Sequence, residues 1–135
     1  MSKNMDITGV LADFTFSCNG EVIASFRMNP ADVRVAERAN EVSRHFRENK
    51  DHYAEMSGSE FLTKYDKELT DKINYLLGYD ASETLFGLLS ATTILPDGRM
   101  FATVVLETVS QNVAEAMKKR FDKFKAVSKY TAKYE

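Results

Sequence analysis

The sequence predicts an α+β fold, mainly α, with an N-terminal β-hairpin over about 7–27 followed by three to four helices. The helices are expected over about 30–49, 58–77, 81–90 and 100–131. Three observations carry this prediction. Asn19-Gly20 stands between two strand-like runs, and both residues accept the positive φ that a type I′ hairpin turn requires. From Val33 onward, apolar residues recur at helical spacing in three long stretches. Between the second and third of these, Leu76 to Leu89 reads as a helix end, a sharp corner and a new helix start.

In the hairpin, Asp13-Phe14-Thr15-Phe16-Ser17-Cys18 alternates, with Phe14, Phe16 and Cys18 on one face. Glu21-Val22-Ile23-Ala24-Ser25-Phe26 runs back, a register that sets Phe16 opposite Ile23 and Ser17 opposite Val22. A lone hairpin is marginal in water. It must lie on the helices, gain a third strand from the apolar segment Ile7 to Leu11, or pair with another subunit.

Asn29 is placed to cap the first helix, with Pro30 at its first position. Val33, Val35, Ala36, Ala39, Val42 and Phe46 make a narrow apolar stripe on a charged cylinder. Ser57-x-x-Glu60 is a capping box for the second helix, whose stripe runs from Phe61 to Leu77. Gly78 is suited to end it in the left-handed conformation. Asp80-x-x-Glu83 is a second capping box and opens a third helix, inside which Gly87 predicts close approach of another helix. Thr92 to Leu95 followed by Pro96-Asp97-Gly98 reads as an extended piece and a tight turn. The last helical pattern has the stripe Leu106, Val109, Val113, Ala116 or Met117, Phe121, Phe124 and Val127, which assigns Phe121 and Phe124 to the core. Its β-branched beginning, Thr103-Val104-Val105, fits strand as well as helix.

The chain has 135 residues, which suits one domain able to bury a core of its own. Its 44% apolar and 28% charged residues are ordinary for a folded soluble protein. No apolar run approaches the ~20 residues that span a bilayer. Met1 to Asp6 leads into no apolar stretch of the secretory kind. The single cysteine, Cys18, fits a reducing compartment. A cytoplasmic protein with no membrane partner is therefore expected. Charge is unevenly spread: residues 115–135 hold seven basic and three acidic groups, a balance of +4, so the net −2 leaves −6 elsewhere. Such a dipolar chain can join tail to body or subunit to subunit, or find an anionic partner; the plainer reading is lysines gathered toward a helix C-terminus, where the helix dipole favours them.

No stretch announces a reaction. His45, Glu48 and His52, with Asp51 and Glu41, share part of one helical face, but without metalloprotease spacing they read as a solvated surface. Cys18 has no local base to activate it and reads as a half-buried strand residue. Asp66, Glu68 and Asp71 alternate with Lys64, Lys67 and Lys72, as on a salt-bridged wet face. No catalytic residue, no metal and no cofactor is expected.

The hairpin, the Pro-initiated charged helix (Pro30-Ala31-Asp32-Val33), the corner and the long Lys- and Phe-rich last helix occur in that order. The corner segment Gly78-Tyr79-Asp80-Ala81-Ser82-Glu83-Thr84-Leu85-Phe86-Gly87 resembles a Gly-x-x-x-x-x-x-Phe-Gly pattern, with one residue more between Gly78 and Phe86. In both respects the chain resembles the tail assembly chaperones of phages and prophages of Gram-positive bacteria. The resemblance implies a non-enzymatic, mostly helical protein that binds the tape-measure protein or tail-tube subunits and keeps them from aggregating. Its contact surfaces would be the hairpin edge (Phe14, Phe16, Val22, Ile23) and the basic last helix (Lys118, Lys119, Lys123). A homo-oligomer is expected from the hairpin edge and the overlong helix. Two other readings stay open: a phage-encoded inhibitor of a host defence system acting by protein binding, and a nucleic-acid-binding module using the basic C-terminal helix. Nucleic acid is the lesser expectation, because Phe121 and Phe124 continue the core stripe.

Overall fold

The computed structural model describes residues 2–49 and 58–133, with side chains through Lys125. It is an α+β fold, mainly α. Strands β1 (Ala12–Cys18) and β2 (Glu21–Met28) form a two-stranded antiparallel sheet. Asn19 (φ 52°) and Gly20 (φ 84°) make the turn with the positive φ values that Asn-Gly was expected to supply. Residues 8–11 form a turn and a bend, no third strand forms over 7–11, and Ile7 and Leu11 are exposed.

The register departs from expectation in an instructive way. Ser17 lies opposite Val22 as predicted, but a bulge follows and Phe16 faces Ala24 instead of Ile23. Without the bulge, Phe26 and Met28 would sit on the opposite face of the ribbon from Phe14 and Phe16, since a one-residue slip exchanges the two faces. With it, Phe14 pairs with Phe26, and Ala12 with Met28. The Phe14 and Phe26 rings stack at 5.0 Å. Ala24, Phe26 and Met28 are buried, and the same face lies on the helices, with Phe16 edge-on to Phe101 at 5.2 Å.

Helix α1 (Val33–Glu48) starts three residues later than Pro30 suggested. Asn29 closes a turn of its own, its side chain accepting from the Ala31 N–H at 3.0 Å. Asp32 is the actual cap and accepts from the Arg34 N–H at 2.9 Å. Val35, Ala39 and Val42 face the core, with Phe46 packed at its margin. Helix α2 (Ser59–Leu77) begins after Gly58, with no side-chain cap there. Ser57 of the expected capping box lies outside the described residues. Leu69, Ile73, Leu76 and Leu77 are its buried side.

Gly78 ends α2 at φ 84°, as expected, and its N–H donates to the Asn74 carbonyl at 2.9 Å. A Cβ there would stand 3.1 Å from Nη2 of Arg38. Gly78→Ala is expected to lower stability by about 1–2 kcal/mol through the left-handed backbone alone. Urea unfolding measures this, and an unchanged midpoint would contradict it.

The third helix is shorter than predicted. α3 covers only Ser82–Leu85, and Phe86 leaves it at φ −115° and ψ 26°. Gly87 therefore admits no second helix. A Cβ there would lie 2.7 Å from the Glu83 carbonyl oxygen, so the glycine relieves crowding against its own preceding turn. Asp80 accepts from the Ser82 N–H, and the Asn74 side chain accepts from the Ala81 N–H, which stitches the corner to α2. Ser90 to Gly98 carries the expected extended piece and tight turn, with Ile94 bridged to Met100 and Gly98 at φ 90°.

Helix α4 (Phe101–Lys133) resolves the ambiguity of its β-branched start in favour of helix. Phe101, Ala102, Val105, Leu106, Val109 and Val113 are buried along one face. Tertiary burial of that face outweighs the modest helix propensity of valine and threonine. The core thus lies between the hairpin and α1, α2 and α4, with Leu85 and Phe86 closing one end.

Candidate functional site

Phe14 and Phe16 are half-buried members of the margin of the core. Their ring faces serve folding first. Val22 is 56% exposed beside the turn. Ile23, the residue at the bulge, is half-buried. Phe16 and Ile23 come together in a shallow groove with Leu89, Leu95, Pro96 and Phe101. The exposed side chains of Val22 and Ile94 add apolar surface on the hairpin and on the 92–98 segment.

Lys118, Lys119 and Lys123 stand on α4, and all three are exposed. Burial along this helix ends at Val113, with Met117 at the margin. Arg120 Nη1 donates to the Ala31 carbonyl at 3.3 Å and ties this stretch to the start of α1. The expectation that Phe121 and Phe124 belong to the core is overturned: they are 57% and 71% exposed. At 1.5 Å per residue, 33 residues span about 50 Å, more than the apolar body can cover, so the stripe continues after the core has ended. Lys125 lies over the Phe121 ring, 4.8 Å from its centroid. The result is an arm with two aromatic rings in water among Lys118, Lys119, Lys123 and Lys125. The side chains of Val127, Lys129, Tyr130, Lys133 and Tyr134 lie outside the described residues.

Four of the acidic and histidine residues weighed in the sequence, His45, Glu41, Glu68 and Asp66, find structural partners. His45 Nε2 lies 2.9 Å from Glu68 Oε1 and joins α1 to α2. The same two helices are bridged by the Tyr75 hydroxyl donating to Glu41. That bond, and the negative charge behind it, raises the Tyr75 pKa above the ordinary phenol value. Asp66 is no wet-face residue: it accepts from both the N–H and the hydroxyl of Thr92, at 3.0 and 3.1 Å, and anchors the loop before α4. Among the described residues no three histidine, cysteine or carboxylate groups are gathered as for a metal. His52 and Asp51 lie outside those residues. Cys18 is exposed rather than half-buried.

A larger groove, of about 640 Å³, runs between β2, the start of α1 and the Gly78 corner. Phe26, Met28, Val35 and Leu77 form its apolar floor, and Arg27, Arg34, Arg38 and Tyr79 line it above. Sequence reasoning did not find it, because its cations come from a strand and a helix that only folding brings together. The one local signal is the i, i+4 spacing of Arg34 and Arg38. Arg34 is paired with Asp32 at 3.0 Å and Arg27 with Asp13 at 2.7 Å. The hydrogen bonds from Arg34 hold the Asp32 carboxyl below the usual carboxylate range, and the reciprocal bond raises Arg34.

Among the described residues, no helix is long and apolar enough to cross a membrane. No family model, no curated protein and no solved structure matches the chain.

Proposed function

We propose that this chain is a non-enzymatic phage protein that binds another protein during tail assembly. It would cover an aggregation-prone surface of a tape-measure or tail-tube subunit until that subunit is built in. The observation that carries the binding part is the pair Phe121 and Phe124, exposed on α4 among lysines. Aromatic residues that remain in water on an isolated chain mark a surface that gains most from being covered. The groove at Phe16 and Ile23 is a second apolar patch of the same kind. The partner class comes from the resemblance of residues 77–90 to tail assembly chaperones. Self-association through the same surfaces belongs to the proposal.

Co-expression with a phage tape-measure protein is the test. The expected result is a larger soluble fraction of that protein and its co-purification with the chain. No change in solubility together with no complex would end the proposal. Aromatic rings among lysines also suit single-stranded nucleic acid, so a nucleic-acid-binding arm is the second reading. Oligonucleotide binding that weakens steeply with salt would favour it.

A further inference from the structure

We propose that the groove between β2, α1 and the Gly78 corner binds a small organic anion, an oxyanion group carried on an apolar body. Arg38 lines this groove from α1. Its side chain is half-buried, and its Nε donates to the Leu76 carbonyl at 3.1 Å, one of the last carbonyls of α2. That bond suits a cation at a helix C-terminus and accounts for where the side chain lies. It uses one of the five guanidinium N–H groups. Among the described residues, the other four have no protein acceptor and no carboxylate forms an ion pair with Arg38. Gly78 keeps the guanidinium there, since a Cβ at that position would stand 3.1 Å from Nη2.

The neighbouring charges leave a cation in surplus. Arg27 and Arg34 are each matched by one carboxylate, Asp13 and Asp32, and Arg38 is not. The groove therefore carries one net positive charge over a floor of Phe26, Met28, Val35 and Leu77. Asp32 feels the Arg38 charge but is paired with Arg34; a partly desolvated guanidinium with no ion pair of its own is costly, and a carboxylate or phosphate received in its planar fork offsets that cost. Tyr79 supplies a further donor. Its Oη accepts from the Arg27 N–H at 2.8 Å, which leaves the hydroxyl hydrogen for a bound oxyanion. The volume of about 640 Å³ suits a small molecule, and the apolar floor asks for an apolar body rather than a bare ion.

Amide chemical shifts of the whole chain, titrated with phenyl phosphate, benzoate and the uncharged benzyl alcohol, test this. Either oxyanion is expected to give saturable shifts in the millimolar range or tighter at Arg27, Asp32 to Arg38 and Gly78-Tyr79. Whichever saturates first identifies the preferred oxyanion, and benzyl alcohol should give none. Arg38→Gln should weaken binding at least about tenfold, as loss of a charge-assisted bidentate contact does. Arg34→Gln, at the exposed rim, should weaken it less, and serves if Arg38→Gln does not fold. Arg47→Gln, on the same helix and outside the groove, should leave it unchanged. Shifts equal for benzyl alcohol, shifts confined to the lysines of α4, no saturation, or unaltered affinity in the Arg38 and Arg34 variants would overturn the proposal. The arm on α4 takes no part in this site, so failure here leaves the protein-binding reading intact.

Discussion

Phe101→Ala is expected to remove about 3–5 kcal/mol of stability, the range found when a buried phenylalanine is truncated. A domain of this size has about 5–15 kcal/mol in total, so the variant should be at or near the edge of folding. Phe101 is 1% exposed and receives two edges, Phe16 at 5.2 Å and Phe86 at 5.8 Å. It stands where the hairpin, the corner and the first turn of α4 meet. Removing the ring therefore leaves a cavity whose walls belong to three separate elements and cannot all move in to fill it. Urea unfolding of the wild type and variant would measure the loss. A change under about 1 kcal/mol would mean that the site collapses freely and that the three elements are not joined through this ring.

The second large effect is on binding and not on folding. Phe121→Ser with Phe124→Ser should leave the unfolding midpoint within about 0.5 kcal/mol of wild type, because both rings are already in water. On the proposed function, the same double variant should weaken capture of a co-expressed tape-measure protein by about 2 kcal/mol or more, roughly thirtyfold in Kd. Replacing Lys118, Lys119 and Lys123 by glutamate should slow association and remove its salt dependence, with less effect on the lifetime of the complex. A double variant that captures its partner as well as wild type would take the arm out of the interface. The groove at Phe16 and Ile23 would then be the remaining surface to test.

Much of the fold could be read locally. The hairpin turn needed only Asn19 and Gly20, since two adjacent residues tolerant of positive φ are enough to reverse a strand. The end of α2 needed only Gly78. The start of α1 was misplaced because Asn29-Pro30 and Asp32 offer competing caps. The chain uses Asn29 for a preceding turn and Asp32 for the helix itself. The corner was read as a helix to Ser90, yet α3 ends at Leu85. Its residues suit a helix, but the Phe86 ring is drawn to Phe101 in a part of the chain no local pattern includes.

The candidate surfaces divide in the same way. The lysines of the last helix were visible as a charge run, and a helix too long for its body was visible from its periodicity alone. That Phe121 and Phe124 lie beyond the core was not visible. Periodicity reports which side of a helix is apolar, not where along its length a neighbouring element stops. The arginine groove was hidden altogether, because Arg27 of β2 and Arg38 of α1 come to line one groove only in the folded chain.

What the sequence determined by itself is therefore the set of local conformations: a type I′ hairpin, helices with one apolar side each, and a left-handed stop at Gly78. These follow from φ preferences and side-chain periodicity, which act over a few residues. Tertiary structure alone decided the bulge at Ile23, the early end of α3, the helical start of α4 and the exposure of its two phenylalanines. Each depends on which apolar surface is near enough to be covered. Burial is a property of the packed whole, and no residue carries it in its own neighbourhood of the chain.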